Sequence, residues 1–510
     1  MYSSVCSGGL CGIKSYISSV EIDVSKSLPS FEMVGRLSNE VKEARERVKV
    51  ALKNCGIEIP PVKITVNISP AHIHKSGTAY DLPIAVGVLN TLGLIPDTAL
   101  ENMIVLGELG LNGDLKAVNG VLPILTEAYG KGITCCVIPA DNADEAAYVE
   151  GMNIIVADNM VSVMSILKSP NTMADHYLVR GQNLSADEKE PKDDFADIIG
   201  QEACIRAATV AVAGFHHMMM IGPPGAGKTM IAKRMATIMP EPDMAESLEV
   251  SSIYSVSGLL NRSRPYIRTR PFMAPHHTAT VSSLTGGGIN PRPGIMSLAH
   301  RGVLFLDEFP EFSRESIEAL REPLESKSIQ VVRAKTSFVF PADFMLVAAA
   351  NPCPCGYYPD RNKCNCPEHS IARYRSRISG PIRDRIDIIA SVSRLDAERV
   401  IREDGADRGR KKALSSEDIK TDVMKAIEIQ KKRYKGTGIR YNSELSPSEI
   451  DKYCELGKEE KEYMKDIYDA MDLTARSYHK ILKVARTIAD LDGCSDIKVS
   501  HLSEAVCYRG

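Results

Sequence analysis

Two periods of apolar residues alternate along this chain, and their order lays out its architecture. Ala44, Val48, Ala51, Leu52 and Cys55 fall at helical spacing, with Gly56 where a C-cap glycine would stand. After Pro60-Pro61, Val62, Ile64, Val66 and Ile68 alternate with polar residues, which predicts a strand with one buried face. Residues 82–92 predict a second helix ended by Gly93, residues 107–113 a glycine-rich strand pair, and Val137-Ile138-Pro139 a buried strand end. This mixture predicts an α/β domain over 1–168. A polar, charged stretch at 169–194 is expected to be an exposed linker. Beyond it the apolar runs are short and continuous. Met218–Ile221, Val303–Leu306 and residues 344–350 predict buried strands, 230–239 a helix stopped by Pro240, and 328–340 a β-hairpin with a basic tip. That is an α/β core over 195–395, followed by a connector at 396–415 and a helical C-terminal domain at 416–510.

Composition narrows the class. The chain has 510 residues, 44% hydrophobic and 25% charged, ordinary for a soluble protein of roughly three domains. A net charge of −3 means that any contact with nucleic acid rests on local basic patches. There are 13 cysteines, an odd number, no charged-apolar-small leader at Met1, and no apolar run near the ~20 residues of a membrane span. A cytoplasmic protein is expected, with no membrane partner, its cysteines reduced thiols or metal ligands.

The chemistry centres on Gly222, Pro223, Pro224, Gly225, Ala226, Gly227, Lys228 and Thr229, set between an apolar strand and a helix. Glycines there turn successive N–H groups toward phosphates, and the helix N-terminus adds partial positive charge. Lys228 is expected to reach the β- and γ-phosphates of ATP, and Thr229 to offer its hydroxyl to Mg²⁺. Asp307 and Glu308 end the second buried strand. Asp307 suits the Mg²⁺, directly or through water, and Glu308 the orientation and deprotonation of an attacking water. Asn351, at the end of the third strand, is placed to hydrogen-bond the γ-phosphate or that water.

The order of pieces in the front domain resembles the peptidase domain of Lon-type proteases, which works through a Ser-Lys dyad. Anchored on Gly77, the serine position falls on Ala79; anchored on Gly107, Gly113 and Gly120, the lysine position falls on Leu122. Neither residue can act as nucleophile or base, so a Lon-like fold without a protease site is expected. Pro271-Phe-Met-Ala-Pro-His-His277, Ser297-Leu-Ala-His300, Asn351-Pro-Cys-Pro-Cys-Gly356 and Ser379-Gly-Pro381 resemble the magnesium-chelatase-like AAA+ proteins of bacteria, the YifB or ComM family, over nearly all the chain. The resemblance implies a sensor role for Asn351, an arginine finger at Arg385 acting in trans within a hexameric ring, and a second-sensor arginine at Arg476 on a lid helix. It also implies an ATP-driven, helicase-like motor that moves branched junctions during recombination, as in uptake of transforming DNA. Two positions depart from the family: Ile295 stands where a glutamate is expected, and Arg383 where an aliphatic residue is expected.

Three readings stay open at this stage. Cys353, Cys355, Cys364 and Cys366 form two close pairs that suit a tetrahedral Zn²⁺, with His369 as a substitute ligand, but they also suit free thiols or a redox pair. Arg333 and Lys335 on the hairpin, and Arg262, Arg264, Arg268 and Arg270 in a long loop expected at 251–300, are either DNA-gripping cations or a solvated rim. The motor itself has rivals: a chelatase-type remodeller of a protein partner, an active protease opposed by Ala79 and Leu122, and a nucleotide-switched scaffold opposed by the complete hydrolytic set.

Overall fold

The computed structural model describes residues 1–178, 193–261, 263–288, 291–333, 336–393 and 414–509. The front domain is built on a seven-stranded sheet, ordered Ser30–Val34, Lys63–Ser69, Lys14–Ser25, Tyr2–Cys11, Met103–Val105, Cys135–Pro139, Asn153–Ala157. Its first strands form an antiparallel hairpin, while the last three run parallel beside Tyr2–Cys11. Two predicted helices cover the sheet. Asn39–Asn54 starts at Ser38, whose hydroxyl accepts from the Val41 N–H, and buries Val41, Ala44, Val48, Ala51 and Leu52. Asp81–Thr91 is buried on every side, as a continuous apolar helix in a core must be. The strand pair expected around 107–113 is Glu108–Leu109 with Leu115–Lys116, so Gly113 lies in the turn rather than in a strand.

The start of the expected linker belongs to this sheet. Pro170–His176 forms a 3₁₀ helix, Tyr177 bridges Ile155, and the Leu178 N–H donates to Ile154 O at 2.7 Å. Only 179–192 remains of that linker, and it lies outside the described residues, as does 396–413 of the expected connector.

The second sheet is parallel throughout and has five strands, ordered Phe272–Met273, Val303–Leu306, Met345–Ala350, Met218–Ile221, Ile388–Ser391. The strand leading into the glycine loop, fourth in this order, is thus interior, flanked by two neighbours. One core runs from one face of this sheet through Glu202–Gly214 into the C-terminal helices Ser416–Arg433, Ala475–Leu491 and Val499–Cys507. The C-terminal helices therefore share apolar contacts with the layer that carries the glycine loop. A second core on the other face holds Leu304, Leu306, Phe309, Ile382 and Ile386.

The expected long loop at 251–300 is shorter than its composition suggests. Asp243 and Glu246 cap a helix, Met244–Ser257, that carries on to Gly258 at φ 70° and buries Val250, Ser251, Ile253 and Tyr254. Its serines hid it, because hydroxyl side chains weaken a helical pattern while fitting its buried face. The predicted hairpin is present as Ser328–Arg333 paired with Thr336–Pro341. Its tip residue Lys335, like Arg262 in the insertion, lies outside the described residues.

Candidate functional site

The strand Met218–Ile221 delivers its chain into the glycine loop at the carboxyl edge of the parallel sheet, where such folds place their ligands. Gly225 (φ 75°) and Gly227 (φ 86°) take left-handed conformations that a side chain would strain. A side chain at Gly222 would collide with Val392 O at the end of the neighbouring strand. Gly227 caps the helix Lys228–Thr237, whose first turn opens onto a cavity of about 370 Å³. That cavity is lined by Pro224 to Met230, Asp307, Glu308 and Ala349 to Asn351.

Within it the residues expected from sequence are brought together. Lys228 Nζ donates to Gly222 O at 2.7 Å, Pro223 O at 3.0 Å and Asn351 Oδ1 at 3.1 Å. Burial pulls its pKa down, against Asp307 and Glu308, which hold the ammonium charged. Thr229 Oγ1 donates to Asp307 Oδ2 at 2.7 Å. A hydroxyl and a carboxylate side by side form an oxygen donor set that fits Mg²⁺. Glu308 occupies the left-handed region at φ 50°, and its Oε2 lies 3.3 Å from His277 Nδ1. His277 was visible in the sequence only as part of a family motif; its pairing with Glu308 spans 31 positions.

Arg385, expected to act in trans, and Arg476, the expected second sensor, lie elsewhere. Neither lines the phosphate cavity. Arg385 is 7% exposed, donates to Pro381 O at 2.6 Å and pairs with Glu325. Arg476, half exposed at the start of Ala475–Leu491, reaches the same Glu325 oxygen at 3.4 Å. Both expected cations thus converge on one carboxylate that no motif singled out. Arg383 is exposed and donates to Arg375 O at 3.4 Å, while Ile295 packs at the edge of the second core.

The insertion arginines differ from one another. Arg270 is locked inside, donating to Pro240 O, Arg301 O and Glu246, so it is a brace and no free cation. Arg268 is exposed, with its guanidinium 5.8 Å from the Tyr148 ring of the front domain. Arg264 lies 5.7 Å from the Tyr254 ring.

The sulfurs of Cys353, Cys355, Cys364 and Cys366 all lie within 4.8 Å of one another. His369 is exposed on the helix Glu368–Arg375 and stands outside that group. In the front domain Leu122 is fully buried in an apolar cluster, with Ala79 packed against it. Beside Leu122, the buried Glu145 accepts from Ser255 Oγ at 2.6 Å, Asn142 Nδ2 at 2.7 Å and the Leu122 N–H at 3.4 Å. Ser255 comes from the helix Met244–Ser257, and its carbonyl accepts from the Gly120 N–H at 3.1 Å. Tyr148 and Tyr266 stack 4.1 Å apart across the same seam.

Comparison with known proteins gives three family matches in series. Residues 194–400 match magnesium chelatase, subunit ChlI; residues 20–142 match subunit ChlI of Mg-chelatase; residues 413–509 match the ChlI C-terminal model. The chain is 39% identical to the protein YifB of Escherichia coli (strain K12) over 491 residues, 96% of this chain and 93% of that one. It is 38% identical to competence protein ComM of Haemophilus influenzae (strain ATCC 51907 / DSM 11121 / KW20 / Rd) over 500 residues, 98% and 95% of the two chains. An archaeal Lon protease of Halobacterium salinarum (strain ATCC 700922 / JCM 11081 / NRC-1) is 30% identical over 135 residues, 26% of this chain and 18% of that one.

Proposed function

Since this chain belongs to the YifB/ComM family of magnesium-chelatase-like AAA+ proteins, we propose that it is an ATPase whose subunits close into a hexameric ring and drive branched DNA junctions. The observation that carries the reading is the convergence of Lys228, the Thr229–Asp307 pair, Glu308 and Asn351 on one cavity beneath a glycine loop. Lys228 neutralises phosphate charge, and the glycine-loop N–H groups cradle the phosphate oxygens. Thr229 and Asp307 would hold Mg²⁺, which would supply further neutralisation of phosphate charge. Glu308 takes the proton from the attacking water, with His277 fixing its carboxylate from the far side. Asn351, bonded to Lys228, links the phosphate end of the cavity to the strand Met345–Ala350.

Arg385 and Arg476 stand outside their own chain's cavity, which favours work on a neighbour's ATP. In this reading Glu325 is the carboxylate both release when subunits meet. The similarity to a competence protein supports DNA as the cargo, gripped by Arg333 and Lys335 on the hairpin and by Arg268. The front domain cleaves nothing, because Ala79 and Leu122 stand at the dyad positions, and the protein works in the cytoplasm. No helix among the described residues is long and apolar enough to cross a membrane.

The test is ATPase rate with forked DNA, a four-way junction and linear duplex, alongside ATP-dependent migration of the labelled junction. Stimulation by branched DNA and movement of the junction are expected. If junctions neither stimulate nor move, the chelatase-type remodelling of a protein partner, favoured by the match to the chelatase subunit, takes over.

A further inference from the structure

Residues 352–367, between the strand Met345–Ala350 and the helix Glu368–Arg375, hold no helix or strand, yet Gly356 among them packs against Pro224 of the glycine loop. The buried Cys353 and Cys364 cluster with Ile371 of that helix, with Tyr357, Tyr358 and Cys366 at the edge. Two buried cysteines, with the buried Pro352 and Gly356, are far too few to hold sixteen irregular residues in place by apolar contact alone. Something else must staple the segment.

From the four sulfurs we infer that the staple is a structural Zn²⁺ on Cys353, Cys355, Cys364 and Cys366, and that it holds the phosphate loop in shape. Zinc–sulfur bonds of ~2.3 Å in a tetrahedron put neighbouring sulfurs roughly 3.8 Å apart. Here Cys353 Sγ lies 3.3 Å from Cys355 Sγ and 3.7 Å from Cys364 Sγ, and all four fall within 4.8 Å. The Tyr358 N–H points at Cys353 Sγ at 3.4 Å, the outer contact that orients a thiolate ligand. Zinc with four thiolates carries two negative charges, and two arginines flank the site. Arg361 donates to Cys366 O at 3.0 Å, Arg375 to Pro352 O at 3.4 Å, and their guanidiniums lie 5.0 and 5.2 Å from the Tyr358 ring. Zn²⁺ binding converts the thiols to thiolates and releases their protons to solvent.

The route to the nucleotide runs through Gly356. It sits at φ 85°, and a Cβ there would lie 2.6 Å from Pro224 Cδ and 3.8 Å from Asn351 Cγ. The stapled segment thus rests its backbone on the phosphate loop, beside the asparagine bonded to Lys228. The coupling rests on the ATPase reading; the metal does not.

The experiment measures zinc by elemental analysis on the full chain purified without chelator, and nucleotide affinity with a fluorescent ATP analogue. About one zinc per chain is expected, with Co²⁺ substitution giving the thiolate-to-cobalt absorption of a tetrahedral sulfur site. Cys355→Ser should lower zinc to well below half per chain, whereas Cys507→Ser should keep it. Gly356→Ala should retain zinc but weaken the analogue's binding several-fold, which separates coupling from mere folding. Absence of zinc and of cobalt absorption, with four free thiols or a disulfide found by mass spectrometry, overturns the metal. Zinc bound with unchanged affinity in Gly356→Ala overturns the coupling. Loss of ATP binding in a zinc-replete wild-type chain would instead sink the ATPase reading and leave the metal site standing.

Discussion

Glu308 holds a backbone conformation that costs a non-glycine residue about 1–3 kcal/mol, and strain of that kind persists where the surroundings fix it. The His277 contact at 3.3 Å is part of that fixing. Glu308→Gln should keep ATP binding while slowing hydrolysis by about a hundredfold or more, since the base is gone and the cradle is not. Lys228→Ala should lose binding itself, and equilibrium nucleotide binding beside single-turnover hydrolysis tells the two apart. For His277→Ala, loss of a polar contact with Glu308 worth at most ~1 kcal/mol implies up to roughly a fivefold fall in kcat at unchanged KM. A rise in KM of the same size would mean that His277 serves the fold instead. The contrast between these residues explains what the sequence made legible. Gly222 to Thr229 is a local device, with loop, cation and hydroxyl within eight positions. His277–Glu308, Glu325–Arg385 and Glu325–Arg476 join positions 31, 60 and 151 apart, and no period or motif encodes such distances.

At the scale of elements, strands were the best signalled, because a parallel sheet buried on both faces needs unbroken apolar runs. The hairpin at 328–341 followed from alternation as well. The helix Met244–Ser257 was lost because its buried face carries Ser247, Ser251 and Ser255 among apolar residues. One contact between strands was also beyond reach. His217 ties the strand Met218–Ile221 to both neighbours: its carbonyl accepts from Asp387 and Ile388 N–H groups at 2.9 and 3.0 Å, and its Nδ1 accepts from the Leu346 N–H at 3.1 Å. An Nδ1 that accepts cannot carry a proton. Burial pulls the His217 pKa down to about 4; Asp387 and Asp343 oppose this, while Lys480 and His216 assist it. A histidine whose folded pKa lies below its unfolded one adds stability above about 6.5 that is lost as pH falls toward 4. Thermal unfolding across that window should therefore show a falling midpoint, by about 2–4 °C per kcal/mol lost. His217→Gln, whose amide oxygen can accept from Leu346, should flatten that slope; an unchanged slope would assign it to other groups.

For the whole molecule, the proposed ring would set the two arginines now paired with Glu325 to work on a neighbouring subunit's ATP. Mixing Arg385→Ala chains with Lys228→Ala chains should restore part of the ATPase activity that each lacks, because a ring can pair an intact loop with an intact finger. Strictly additive loss, or a chain that stays monomeric at every ATP concentration, rules the arrangement out. If phosphates are the only contacts with DNA, affinity should be nearly independent of sequence and fall steeply with salt, as filter binding between 50 and 200 mM salt would show. The front domain should leave casein intact over hours with ATP present.

The seam between that domain and the helix Met244–Ser257 also bears on what a serine and a lysine at the expected dyad positions would do. A lysine placed at position 122 would enter an apolar cluster, and the carboxylate beside it, Glu145, is already engaged by Ser255, Asn142 and a backbone N–H. Burial holds that carboxyl's pKa up, and Ser255 and Asn142 offset this only in part, so a new ammonium would draw Glu145 into an ion pair and strip the seam. Ala79→Ser with Leu122→Lys would then yield a front domain loosened from its ATPase and no working dyad. A change at position 122 therefore acts on both domains at once, because Glu145 joins the Leu122 backbone to Ser255 of the facing helix.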